Sequence, residues 1–211
     1  MPLTYQLNDI KNWEQRYRAT FINSLAGIKQ LVLIGTQSPQ GLTNLAIFNS
    51  LIHIGANPAL YGILFRPDTV KRDTLDNILQ TESYSFNYVS AGSFKQAHQT
   101  SAKYDTNTSE FQAVGFTEQY VPGFLAPFVQ EAKVKIAMKL EDRIDIKING
   151  TILIIGSLQY IEINPNMLSA DGFVALEKEN ILACAGLDAY YQTDFINRLS
   201  YAKPDKEPSI L

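Results

Sequence analysis

The segment 134-VKIAMKLEDRIDIKINGTILIIGSLQYIEI-163 constrains the fold more than any other part of the chain. Val134, Ile136, Met138 and Leu140 alternate with Lys135, Ala137 and Lys139, and Ile144, Ile146 and Ile148 keep the same period. A period of two sends successive side chains to opposite faces of a strand. Asn149-Gly150 follows at once, and that pair suits the positive φ angles of a tight hairpin turn. The run 151-TILIIGSLQYIEI-163 then reads as the returning strand. A long antiparallel hairpin is therefore the element around which the rest must be arranged.

Shorter strand signals precede it. The run 30-QLVLIGT-36 stops at the turn-rich QSPQG, and 59-ALYGILF-65 and 83-SYSFNYV-89 have the same β-branched and aromatic character. The stretch 43-TNLAIFNSLIHIGANP-58 is ambiguous by period. Ile10, Trp13, Tyr17, Phe21 and Leu25 recur at helical spacing, with Asn8 or Asp9 as N-cap and Gly27 near the end. A second helix puts Leu75, Ile78 and Leu79 on one face, and residues 93–113 read as a short helix followed by a long surface loop. Many short strands with two or three helices, out of strict β-α alternation, predict a mainly β fold: an antiparallel Greek-key barrel with helical additions. One domain spans 1–211, with an N-terminal helix within 1–28 and a loosely held tail at 202–211. A dinucleotide-binding α/β sheet is disfavoured, because 41-GLTNLA-46 lacks the three-glycine spacing.

Composition removes several functions. Charged residues of mixed sign make up 18% of the chain and leave a formal charge of -3, which argues against broad nucleic-acid binding. Cys184 is the single cysteine, so no intrachain disulfide or cysteine-built metal cluster is possible, and it reads as a small core residue in 181-ILACAG-186. His53 and His98 alone do not make a histidine-rich metal site, and no motif around either supports a hydrolytic triad. The N-terminal MPLTYQLNDIKNW has no signal-peptide pattern, and 151-TILIIGSL-158 is too short to span a bilayer. The expected setting is soluble and cytoplasmic.

Against this acidic background, Arg66, Lys71 and Arg72 crowd the start of the second helix. A helix start offers free N–H groups and a favourable dipole, and a guanidinium adds a charge-assisted grip, so a compact anion fits there. Asp68, Thr69 and Asp73 compete for the same N–H groups, which leaves a simply capped helix as the other reading. The loop 98-HQTSAKY-104 gathers hydroxyl, amide and cationic groups.

Five short motifs occur in a recognisable order: N-L-A-x-F-N-S at 44–50, N-P at 57–58, R-D-T-L-x-N-I at 72–78, T-S-A-x-Y with S-E-F at 100–104 and 109–111, and G-L-D-x-Y at 186–190. In that order the chain resembles the flavin reductase-like family of FMN-binding split barrels, also called flavoredoxin-like, from about residue 17 to 203. Ile47 and Asn49 stand where that family often has A-P-F-S. His98-Gln99 stands where many relatives have Met-Asn, and Arg72 where Lys is common.

The resemblance implies an FMN site. Arg66, Arg72 and Thr74 would face the phosphate, and Asn44, Ala46, Ile47, Asn49 and Ser50 would line the polar edge of the flavin. Phe48 or Tyr104 would supply apolar walls. Thr100 and Ser101 would face the ring or the ribityl chain, with Lys103 near the reduced ring. It also implies hydride transfer from NAD(P)H to bound flavin with no catalytic side chain, a homodimer with flavin near the interface, and a partner oxygenase as one consumer of the electrons. An electron carrier or flavin store without NAD(P)H activity is the alternative. A split barrel that binds haem or nothing is the remoter one.

Overall fold

The computed structural model describes residues 1–211 apart from Asp68, Val70 and Thr106. Seven strands form its main sheet: β1 (Val32–Gln37), β2 (Thr43–Phe48), β3 (Leu51–Ala56), β4 (Ala59–Phe65), β5 (Ser83–Tyr88), β6 (Val134–Ile146) and β7 (Thr151–Ile163). Neighbours are antiparallel in the order β2-β1-β5-β6-β7-β4-β3. The two edge strands, β2 and β3, follow one another in the chain with only Asn49 and Ser50 between them. Such a short link draws the edges together, so the sheet curls into a barrel that is split at this point. Ser50 secures the crossing: its Oγ donates to the Leu64 carbonyl at 2.8 Å, and Leu64 N donates to the Ser50 carbonyl at 3.4 Å.

The ambiguous 43–58 stretch thus resolves into two strands. Its period is blurred because β2 changes from buried to half-buried along its length, while β3 is largely exposed. β1 has the opposite pattern. Val32, Ile34, Phe86, Ile136 and Met138 belong to the barrel core, whereas Leu31, Leu33, Leu45, Phe111 and Leu182 form a second cluster on the outer face. A strand buried on both faces reads as a continuous apolar run, as LVLI does.

The hairpin is longer than its alternation suggests. β6 and β7 are continuous 13-residue strands, and register shifts at Glu141 and Gln159 bend the ladder without breaking it. The turn is not a two-residue Asn-Gly turn. Ile146 pairs with Thr151 across the loop 147–150, both Asn149 N and Gly150 N donate to the Ile146 carbonyl, and Gly150 takes φ 72. Ile148 is therefore exposed at the tip rather than part of a strand. At the far end, Val134 to Met138 are all buried, because Glu118–Gln119 pairs with Phe128–Val129 and covers the second face. Lys135 is buried with its Nζ bonded to Gln119 Oε1 at 2.5 Å and Glu162 Oε1 at 2.6 Å.

Among the described residues there are five α-helices: α1 (Leu7–Asn12), α2 (Gln15–Leu25), α3 (Asp73–Thr81), α4 (Phe94–Gln99) and α5 (Glu110–Val114). The expected single N-terminal helix is two helices, because the Glu14 carboxylate caps a new start by accepting from Arg16 N and Tyr17 N. The first N-cap is Gln6, not Asn8 or Asp9; Asp9 reaches back to Gln6 N at 2.8 Å. The expected long loop after α4 is shortened by α5. α3 buries Thr74, Leu75, Asn77 and Ile78 and ends at Glu82 in the left-handed region. The tail folds back on itself, with Ser200 N on the Ser209 carbonyl, yet stays exposed. No described helix is long and apolar enough to cross a membrane.

Candidate functional site

Apolar burial and a polar network together fix the start of α3. Leu75 and Ile78 anchor the helix in the barrel core. On the adjoining face Asn44 Nδ2 donates to Thr74 Oγ1 at 2.9 Å and to Thr36 Oγ1 at 3.4 Å, and Asn77 Nδ2 donates to Thr36 Oγ1 at 3.1 Å. All four side chains are buried. A satisfied buried network of this type holds its members in one arrangement, so the first turn of α3 is rigid relative to β2.

Arg72 is the N-cap residue, in extended conformation, and provides no side-chain cap. Its Nε is buried and has no hydrogen-bond partner among the described residues. Lys71 and Asp73 are ion-paired at 2.8 Å, both substantially exposed; a pair in water is worth little, so Lys71 is readily given up to another anion. Asp68, one of the residues competing to cap this helix, lies outside the described residues. Arg66, at the end of β4, is exposed.

A cleft of about 420 Å³ opens beside this helix start, lined among others by Asn44, Lys71, Asp73, Asn77, Tyr104 and Glu110. Its far wall is set by α5. Glu110 Oε2 accepts from Leu45 N at 3.0 Å, Thr43 Oγ1 lies 2.7 Å from Ser109 Oγ, and Thr43 Oγ1 donates to Glu118 Oε1 at 2.6 Å. Burial pushes the Glu110 carboxyl above its ordinary range, against the lowering effect of its backbone bonds. Thr36, Asn77, Glu110 and Glu118 were not among the site residues expected from sequence; the S-E-F and x-N-I letters of the motifs were the available signal.

The other expected residues are more dispersed. Ala46 and Ile47 are half-buried along β2, with Ile47 against the outer cluster. Phe48 turns into the barrel and packs edge-on against Phe65, ring centroids 4.9 Å apart. Asn49 Nδ2 donates to the Gly186 carbonyl at 2.6 Å, joining the N-L-A-x-F-N-S and G-L-D-x-Y motifs. Buried Thr100 and exposed Ser101 donate their hydroxyls to the Ala97 and His98 carbonyls at the end of α4. Lys103 is exposed, and Tyr104 lines the cleft with its hydroxyl 3.4 Å from the Gln99 carbonyl. The structure thus brings Asn44 and Tyr104 to one cleft, with Thr74 buried behind it on Asn44 and Arg72 at the adjoining helix start.

Residues 27–178 match the family model of the flavin reductase like domain. The chain belongs to the flavin reductase-like family. It is 45% identical to a split barrel domain from Shewanella frigidimarina NCIMB 400, proposed by its description to be a flavin reductase, with a TM-score of 0.92 over 95% of this chain and 100% of that one. Nitrilotriacetate monooxygenase component B from Bacillus cereus shares the fold at a TM-score of 0.81 with 16% identity, over 94% of this chain and 99% of that one. Flavoredoxin of Desulfovibrio vulgaris (Miyazaki F) does so at 0.69 with 20% identity, over 84% and 91%. An uncharacterised protein of Aquifex aeolicus (strain VF5) is 28% identical over 109 residues, 51% of this chain; the match spans 56% of that protein.

Proposed function

We propose that this flavin reductase-like protein binds FMN and transfers a hydride to it from NAD(P)H. The observation that carries the reading is the buried Arg72 Nε, without a partner among the described residues, at an N-terminus that the Arg72 side chain does not cap. A buried donor left unmade costs about 1–3 kcal/mol. A phosphate dianion would satisfy it together with the free N–H groups of the first turn. Lys71, released from Asp73, adds charge, and Thr74, tied to Asn44, fixes the distance from this pole to β2. The cleft itself carries Asp73, Asp76 and Glu110, so a phosphate belongs at its cationic lip and a hydroxylated chain further in. The segment from Asn44 to Ser50, at the split of the barrel, then runs beside the flavin ring.

Bound FMN supplies the hydride-accepting chemistry. The chain's share is to hold the phosphate, exclude water along Ala46–Phe48, and present backbone N–H groups or Lys103 to negative charge on the ring. We place the protein in the cytoplasm, as a homodimer with flavin near the interface, and a partner oxygenase is one consumer of its electrons. Replacing Arg72 by Ala tests the phosphate grip. Loss of one charge-assisted contact should cost about 1.5–3 kcal/mol, some ten- to a hundredfold in affinity. FMN affinity should fall by that factor while riboflavin, which lacks the phosphate, is little affected. Equal losses for the two ligands would refute the assignment.

A further inference from the structure

Three short strands, Lys29–Gln30, Ala183–Ala185 and Ala189–Tyr191, form a small sheet apart from the main one. This sheet is bonded to both halves of the proposed flavin site. On one side Asn49, at the end of β2, donates to the Gly186 carbonyl at 2.6 Å, with its Nδ2 3.7 Å from Cys184 Sγ. Cys184 is paired in register with Tyr190. On the other side the Tyr190 hydroxyl lies 2.6 Å from His98 Nδ1, and the two rings meet edge-on at 5.8 Å. The Tyr190 ring also packs against Phe94 at the start of α4, centroids 5.6 Å apart. Ser101 donates both its hydroxyl and its backbone N–H to the His98 carbonyl, so the location of His98 determines that of the 98–104 segment.

We propose that Tyr190 is a positioning residue for the flavin site: through His98 it holds the 98–104 segment in register with the 44–50 segment that Asn49 ties to the same sheet. The inference rests on the flavin reading above. Burial pushes the Tyr190 phenol up to about 12. A protonated hydroxyl can donate to a bare Nδ1 or accept from an Nδ1–H, so the joint forms with either imidazole tautomer. The sheet works as a bracket: one arm is the Asn49 amide, the other the Tyr190–His98 bond.

The test uses the full chain, with FMN as the probe. Tyr190→Phe removes the bond but keeps the ring against Phe94. It should weaken FMN roughly three- to tenfold, the worth of one net hydrogen bond, and alter the visible circular dichroism of the bound flavin. In flavin-free protein the same change should speed amide exchange at residues 100–104. His98→Ala should do likewise, and His98→Asn, which returns a hydrogen-bonding group near the Nδ1 position, should recover most of the loss. Combined with Asn49→Ala, the Tyr190 effect should be non-additive, as expected for two arms of one device. Unchanged FMN affinity and dichroism in Tyr190→Phe, even with a lowered melting temperature, would overturn the proposal. Wild-type protein that binds no FMN would instead show that the flavin reading itself had failed.

Discussion

Lys135 shows how a single residue can mislead a pattern. In a strand of alternating apolar residues it occupies the face that usually meets water, yet its side chain is only 6% exposed and bonded to Glu162 and Gln119. No local signal marks this, because the cover comes from residues 118–129, brought in by the fold. A buried ammonium that loses its counter-charge is costly, about 3–5 kcal/mol for a fully buried pair. Glu162 is 39% exposed, which screens part of that. We expect Glu162→Ala to lower unfolding free energy by about 1–3 kcal/mol, and Lys135→Met, which removes the charge, to cost less. Urea denaturation checks both, and a larger loss in Lys135→Met would contradict the account. The hydroxyls of Thr100 and Ser101 make a similar point. Their polarity was legible as a loop rich in donors, but each donates to a carbonyl of the preceding helix, α4.

At the scale of elements, signals of one clear period were readable and interrupted ones were not. β4 coincides with the run 59–65 because every residue in it is consistent with a strand. The break between α1 and α2 was invisible, since the apolar spacing of Ile10, Trp13 and Tyr17 continues across a cap that only Glu14 provides. α5 leaves no signal in the sequence because five residues are too few to show a period. Yet α5 carries the most consequential carboxylate of the cleft. Glu110 is raised first by burial, so the folded state favours its protonated form. Its contribution to stability is fully present below the ordinary carboxylate range and is lost as pH rises through the raised value. Glu110→Gln removes this dependence while keeping an oxygen for Leu45 N. The variant should gain melting temperature relative to wild type as pH rises above the ordinary carboxylate range. Parallel curves for the two proteins would exclude Glu110 as the cause.

For the whole molecule, the barrel was legible as a class because the long hairpin and the short strands agree, and ordered motifs carried the family. The apolar arms were not. α1 and α2 bury no residue, although Trp13 sits 4.9 Å from Tyr5, 5.2 Å from Tyr17 and 5.0 Å from Phe21, edge to face. Ile196, Leu199, Tyr201 and Ile210 near the C-terminus are exposed as well. Such surface is unfavourable in water, and it fits the proposed dimer. Light scattering should give twice the chain mass, and FMN should raise the melting temperature; a monomer that binds FMN tightly would contradict this. The most direct test of the account is anaerobic titration of the FMN-loaded protein with NADH and, separately, NADPH, followed at the flavin absorbance band. We predict stoichiometric bleaching by at least one of them. A flavin that stays oxidised with both, yet is bleached by dithionite, would make the protein an electron carrier or flavin store and contradict the reductase reading.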